Sequence, residues 1–171
     1  MARRLIVTVF AVALLPLMAS AQSQTPAAPK GVFPPPPEAQ IPKRFIPGLE
    51  WFMNLIQTEH AKLWYAGEAR NWRLAEYHLA EIKEIMGDTQ DLVPVYKSLP
   101  FADMMDAVIV GPIGGLEKAI AAKDPKAFAQ GYGQLTAACN ACHQATEHDF
   151  IRIQRPSGPG FPNQDFRPHR P

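Results

Sequence analysis

Residues 124–150 read DPKAFAQGYGQLTAACNACHQATEHDF. Asp124 is a good helix N-cap and Pro125 suits the first helical position, so a helix is predicted to begin here. Inward-facing positions then recur at spacings of three and four, at Phe128, Tyr132, Leu135, Cys139, Cys142, Thr146 and Phe150. This pattern predicts an amphipathic helix whose two cysteines face the protein core.

The same helix carries the run Cys139-Asn140-Ala141-Cys142-His143, which contains the only two cysteines of the chain. A C-x-x-C-H run is typical of covalent haem attachment. Each thiol can add to one haem vinyl group, and the imidazole that follows is close enough to bind the iron. The sequence therefore predicts one covalent haem c, with His143 as the proximal iron ligand through Nε2. Its other ring nitrogen is expected to donate to a carbonyl, a carboxylate or water.

Three other interpretations of these residues stay open. The cysteines could be a redox dithiol, although that motif follows a strand and the residues before Cys139 are predicted to be helical. Cys139, Cys142, His143 and His148 could bind zinc, although structural zinc usually takes two well-separated ligand pairs. A structural disulfide suits an exported chain. The motif favours haem over all three.

The N-terminus has the pattern of a secretory signal over residues 1–21. Arg3 and Arg4 precede an apolar run over residues 5–17, and Ala19-Ser20-Ala21 fits a cleavage site. The run is too short to span a membrane securely, and no other stretch is long and apolar enough to do so. We therefore expect cleavage after Ala21, export to the periplasm and no membrane span in the mature chain.

The charge balance argues against nucleic acid as a partner. The chain has 17 basic and 16 acidic residues, and removing Arg3 and Arg4 with the signal makes its formal charge slightly negative. Such a composition offers no basic face.

The remaining chain is predicted to be all-α, an antiparallel four-helix bundle over residues 48–154. Residues 22–47 are a proline-rich arm, and residues 155–171 are an extended proline-rich tail in which Phe161 and Phe166 are expected to pack on something. The apolar periodicity predicts helices over residues 48–67, 71–86, 101–122 and from 124 onward. Asn71 should cap the second helix, Gly87 should end it, and Gly111-Pro112 should kink or break the third.

Four helices with Cys-x-x-Cys-His on the last one resemble the class II c-type cytochromes, which include cytochrome c-prime. The resemblance covers residues 47–154. Two stretches, His60-Ala61-Lys62-Leu63-Trp64 through Asn71-Trp72 and residues 135–144, also look like a narrower group of exported monohaem proteins of uncertain role. The resemblance implies a non-enzymatic electron carrier with a periplasmic redox protein as partner, and homodimers that form through the first two helices.

In class II proteins the distal iron ligand comes from the first helix. Here that helix offers His60 and, seven residues earlier, Met53, so both lie on one face. His60 is the preferred candidate, Met53 the second, and Met104 or Met105 distant ones. A distal ligand implies electron transfer, whereas an open iron implies the alternative, a five-coordinate protein that binds NO or CO. His60 as an ordinary histidine and Met53 as core filling remain open.

Several polar residues are given lesser roles. His78 is expected at the surface, and residues 59–62 are expected on an exposed helix face. His148 lies too far around the helix to reach the same iron as His143. Arg152 and Arg155 could pair with haem propionates, although solvated charge is the commoner role.

Overall fold

The computed structural model describes residues 47–158 and 160–169. The predicted signal peptide, the cleavage after Ala21 and the arm up to residue 46 lie outside the described residues. Four helices form, namely α1 (Leu49–Glu68), α2 (Trp72–Leu92), α3 (Phe101–Ala121) and α4 (Pro125–Ala145). The described part of the chain has no strand, only an isolated bridge between Tyr96 and Leu99. The prediction of an all-helical chain with four helices is confirmed.

Both predicted N-caps form. The Asp124 carboxylate accepts from the backbone N–H of Lys126 at 2.9 Å and of Ala127 at 3.0 Å, directly before Pro125. The Asn71 side chain accepts from the Leu74 N–H at 3.3 Å. These bonds satisfy backbone donors that have no partner inside the helix, so local sequence alone fixes where α2 and α4 begin.

The predicted end of α2 at Gly87 is wrong, and at Gly111-Pro112, where a kink or break was predicted, α3 is not broken. α2 continues past Gly87 to Leu92, because Met86 and Thr89 on either side of the glycine are buried in the core. α3 runs through Pro112 without a break, with buried Ile109 and Ile113 packed beside it. Burial of these side chains outweighs the helix-breaking preferences of glycine, about 1 kcal/mol, and of proline, about 3 kcal/mol, as tertiary packing commonly does.

α1, α3 and α4 end in the same type of turn, in which a non-glycine residue takes the left-handed conformation. These residues are Arg70 (φ 53°), Lys123 (φ 55°) and Glu147 (φ 62°). At α4 the His148 N–H donates to the His143 carbonyl at 2.7 Å, the bond that closes such a helix end. α4 therefore ends at Ala145, and the prediction that its inward stripe continues to Phe150 is wrong: that ring is 77% exposed.

The core is built from the facing sides of all four helices. α1 contacts α2 and α4, and α3 contacts the same two helices. Phe128 and Tyr132 of α4 are almost fully buried, and Trp64 of α1 packs against them with ring centroids 6.2 and 4.9 Å away. Burying each such side chain contributes about 1.5–3 kcal/mol. None of the helices among the described residues has the length and apolarity needed to cross a membrane.

The segment after α4 is extended and packs on the helices, as predicted for the tail. Tyr65 donates its hydroxyl to the Gly158 carbonyl at 2.8 Å, and the Phe166 ring centroid lies 5.4 Å from that of Tyr65. Asn71 donates to the Phe166 carbonyl at 3.2 Å. The tail thus returns along α1 to the turn between α1 and α2.

Candidate functional site

A cavity of about 450 Å³ lies among the first half of α1, the end of α2, the start of α3 and the end of α4. The segment after α4 contributes His148, Phe150, Ile151 and Ile153 to its wall. Most of the lining is apolar, and the polar groups include His60, His143 and the two cysteines. Its volume is within the range of cofactor sites, and its walls are predominantly hydrophobic, as such sites usually are.

Cys139 and Cys142 both line this cavity as free thiols and are partly buried. Burial, and secondarily the neighbouring Cys142, raises the pKa of Cys139 to about 11. Burial also raises the pKa of Cys142. The thiols are therefore protonated at neutral pH. A dithiol that attacks disulfides instead needs a thiolate with a lowered pKa, so this arrangement disfavours the redox-dithiol interpretation.

The His143 ring is oriented by the backbone of the chain that follows it. Its Nδ1 lies 2.9 Å from the Ile151 carbonyl oxygen. A carbonyl can only accept, so Nδ1 carries the proton and the neutral ring keeps its lone pair on Nε2. Within the described residues Nε2 has no hydrogen bond. The bond from Nδ1 to the Ile151 carbonyl is the one expected in a metal-binding histidine, whose other nitrogen, here Nε2, faces the metal.

His60 is 3% exposed, contrary to the expectation that residues 59–62 form an exposed face. Its Nδ1 lies 2.8 Å from the Tyr132 hydroxyl, and its Nε2 lies 3.1 Å from the Thr136 hydroxyl. Thr136 donates its own proton to the Tyr132 carbonyl at 2.8 Å, so it accepts from Nε2–H, and Nδ1 accepts from Tyr132. Burial lowers the pKa of His60 to about 4, so the ring is neutral.

The methionines of the described residues divide into three that line the cavity and one that does not. Met53 on α1, Met86 on α2 and Met105 on α3 are in the lining, whereas Met104 is not. Met86 and Met105 are buried in the core, and Met53 is partly buried beside it. Of the thioethers named as candidate ligands, Met53 and Met105 reach the cavity wall.

His148 lies near the motif but is held by other groups. Its Nδ1 donates to the Thr146 carbonyl at 2.6 Å, and its Nε2 lies 3.3 Å from the Tyr96 hydroxyl. Across the described ranges, no three His, Cys, Asp or Glu side chains gather closely enough to hold a metal ion by themselves. The zinc interpretation of Cys139, Cys142, His143 and His148 therefore gains no support.

Two further residues, His78 and Arg155, make their contacts away from the cavity. His78 is 2% exposed rather than at the surface, and its Nδ1 lies 2.7 Å from the Glu59 carboxylate. Arg155 lies with its guanidinium 4.1 Å from the centre of the Trp64 ring and donates to the Ala129 carbonyl at 3.2 Å. It is thus bound to the sides of α1 and α4 and does not line the cavity.

Sequence reasoning missed the groups that orient His60 and His143 in the cavity wall. The sequence predicted Tyr132 only as part of the inward face of α4, and it gave Thr136, Asn140 and Ile151 no individual role. The Asn140 side chain pairs with Ile153, donating to its carbonyl and accepting from its N–H, both at 2.8 Å. An asparagine between two motif cysteines was the one available signal, because its amide both donates and accepts.

Comparison with protein-family models, with curated proteins and with solved structures finds no match to this chain.

Proposed function

We propose that this chain is an exported monohaem c-type cytochrome that carries single electrons in the periplasm. One observation carries the proposal: Cys139, Cys142 and His143 line a common apolar cavity, and the Ile151 carbonyl leaves Nε2 of His143 with a free lone pair. Cys139 and Cys142 would hold the haem through thioether bonds, and His143 would bind its iron. The bound haem would supply a centre that gains and loses one electron.

The residues present fit such a group. The wall is largely hydrophobic, with Ile56, Phe101 and Ile109 buried in the core beside the cavity. A neutral His143 is the protonation state that binds metal, and Cys139 and Cys142 are free cysteines, as addition to a vinyl group requires. Apolar walls also exclude water, so little solvent has to reorganise when the charge of the site changes.

For the fold, we propose that the four helices form an antiparallel bundle. The connections between successive helices are short, and the helices that follow each other in the chain contact each other, as do α1 and α4. Such short connections are typical of up-down-up-down bundles, whose cofactor sites lie between facing helices. The cavity has this position.

The chain's own groups suit electron transfer better than catalysis. Haem enzymes need a distal acid or base that is free to move a proton. The one histidine on the α1 wall, His60, has both nitrogens occupied by Tyr132 and Thr136. We therefore propose that the chain is not an enzyme.

Of the two distal candidates, the contacts favour Met53 over His60. To bind iron, His60 would have to lose its Nε2 proton and its bond to Thr136. Thr136 also lies seven residues before His143, about 10 Å along α4 at the rise of an α-helix. In an antiparallel pair, Met53 lies seven residues closer to the level of the motif, and its thioether lines the cavity.

The partner we propose is another redox protein, met through a small transient interface. Phe150 and Ile151 line the cavity and are also 77% and 41% exposed, so the wall of the site is itself part of the outer surface. Weak encounters of redox proteins use small interfaces near the cofactor edge. We do not propose nucleic acid as a partner, because the charge balance offers no basic face.

A second candidate function is the binding of NO or CO at a five-coordinate haem. It is favoured by the same network that ties both nitrogens of His60. With that ring occupied, the candidates that could close the sixth position are thioethers of the cavity wall, of which Met53 is the preferred one. If Met53 serves only to fill the core, the iron is open.

The test is to express the chain in a periplasm that contains haem-attachment machinery, beside Cys139→Ser, Cys142→Ser and the double variant. We expect covalent haem in the parent by mass spectrometry, a weaker or strained attachment in each single variant and none in the double variant. A parent chain without covalent haem would overturn the proposal. A reduced spectrum that carbon monoxide does not change indicates electron transfer, and one that shifts indicates gas binding.

A further inference from the structure

The Asn140 side chain, between the two motif cysteines, forms a two-bond pair with one backbone residue. Its Nδ2 donates to the Ile153 carbonyl and its Oδ1 accepts from the Ile153 N–H, each at 2.8 Å. Both distances are those of good hydrogen bonds, and both groups of Ile153 belong to a segment with no regular secondary structure. Asn140 therefore supplies the partners that a strand or helix would otherwise supply.

Two residues before Ile153 lies the carbonyl that accepts from His143. Ile151 is held from the other side by its own N–H, which donates to the His148 carbonyl at 2.8 Å. The segment from 148 to 153 is thus fixed at both ends, by the closing turn of α4 and by Asn140. The Ile151 oxygen stands between these two anchors, 2.9 Å from Nδ1 of His143.

From this geometry we infer that Asn140 is a positioning residue, which holds the segment 151–153 so that the Ile151 carbonyl sets the orientation and tautomer of His143. The inference rests on the proposed function for its effect on the iron. A hydrogen bond from Nδ1–H raises the basicity of Nε2. A more basic ligand favours the oxidised iron, so this bond lowers the reduction potential.

The chemistry of the side chain is specific. An amide offers one donor and one acceptor in a plane, which matches the N–H and C=O of one residue. In Asn140→Asp the acceptor remains, but the donor is replaced by a carboxylate oxygen that faces the Ile153 carbonyl. In Asn140→Ala both partners are lost. The rest of the tail keeps separate anchors, such as the bond from Tyr65 to Gly158.

The test uses the full chain with covalent haem and compares Asn140→Asp and Asn140→Ala with the parent. Tyr65→Phe is the matched control, because it removes a different tail anchor, the bond to the Gly158 carbonyl. We expect the midpoint potential to rise in both Asn140 variants and to stay at the parent value in Tyr65→Phe. Exchange of the Ile153 amide should accelerate about tenfold in Asn140→Ala, since the Ile153 N–H loses its acceptor. An unchanged potential together with faster Ile153 exchange would show that Asn140 only fastens the tail, and would overturn the inference.

A second readout separates this inference from the proposed function. The ¹⁵N NMR shifts of the His143 ring in haem-free chains report which nitrogen carries the proton. We expect the Nδ1–H form in the parent and a mixture of tautomers in Asn140→Ala. A parent that takes up no haem would refute the proposed function while this comparison still decides the role of Asn140. The same tautomer in both chains would overturn that role.

Discussion

The phenol oxygen of Tyr132 lies 2.8 Å from Nδ1 of His60 and 3.0 Å from the His60 backbone carbonyl oxygen. Tyr132 is fully buried, and its partner is on another helix, so this contact links α1 and α4 at the edge of the cavity. Thr136 completes the link through Nε2 of the same ring. Buried polar groups that are all paired in this way hold two elements in one register.

Tyr132→Phe should destabilise the fold by about 1–3 kcal/mol, because it leaves Nδ1 of His60 buried without a donor. The measurement is urea unfolding followed by circular dichroism. Tyr77→Phe is the matched control, since that ring is 54% exposed and its loss of a hydroxyl should change the unfolding free energy by less than about 0.5 kcal/mol. Equal effects of the two substitutions would contradict the role assigned to the buried network.

Stability should fall as the pH is lowered from about 6.5 to about 4. Burial lowers the pKa of His60 from 6.5 to about 4, so in this window the unfolded chain takes up a proton that the folded chain does not. The contribution is fully present above pH 6.5, and its loss by pH 4 is worth about 3 kcal/mol. In His60→Gln the slope of unfolding free energy against pH should be smaller, by at most the contribution of one bound proton.

Burial lowers the pKa of His78 as well, so it acts in the same direction. The double variant His60→Gln with His78→Gln should therefore flatten the acid side of the stability profile further than either change alone. Parallel profiles for His60→Gln and the parent would mean that the His60 ring titrates freely in the folded chain, against the buried and hydrogen-bonded position it has here.

Two glycines offer substitutions with opposite expected signs. A Cβ at Gly67 on α1 would overlap the buried Phe128 ring, whereas a Cβ at Gly133 on α4 meets nothing within 4 Å. Gly67→Ala should lower the unfolding free energy by about 1–3 kcal/mol through overpacking. Gly133→Ala should raise it by about 0.5–1 kcal/mol through helix propensity. Thermal or urea unfolding measures both, and a stabilising Gly67→Ala would contradict the close approach of α1 and α4.

The features predicted correctly from sequence are those whose cause is local. Asp124 and Asn71 cap the helices that follow them, because a side-chain oxygen reaches a backbone N–H only two or three residues away. The end of α4 was missed because Glu147 takes a left-handed conformation that glycine normally marks. α2 was ended too early because Gly87 signals a stop that the burial of Met86 and Thr89 overrides.

In the candidate site, too, the residues predicted correctly are those related by local spacing. Spacing alone identified Cys139, Cys142 and His143 as a group, and they line one cavity. The partners of His60 lie 72 and 76 residues away, and no periodicity relates them to it. The sequence therefore predicted His60 as a candidate iron ligand from its position on the first helix. Its actual hydrogen-bond partners come from α4.

Met53 and Met105 provide the last prediction, which concerns the sixth position of the iron. Both thioethers line the cavity, but Met53 is on α1 and partly buried, whereas Met105 is on α3 and 4% exposed within the core. Met53→Leu should therefore convert a reduced spectrum that carbon monoxide does not change into one that shifts on adding the gas, while Met105→Leu should leave the response unchanged. Leucine keeps the volume of methionine, so each change should cost less than about 1.5 kcal/mol of stability. A response to carbon monoxide that appears in His60→Ala and not in Met53→Leu would instead identify His60 as the ligand, and would require its bonds to Tyr132 and Thr136 to break when haem binds.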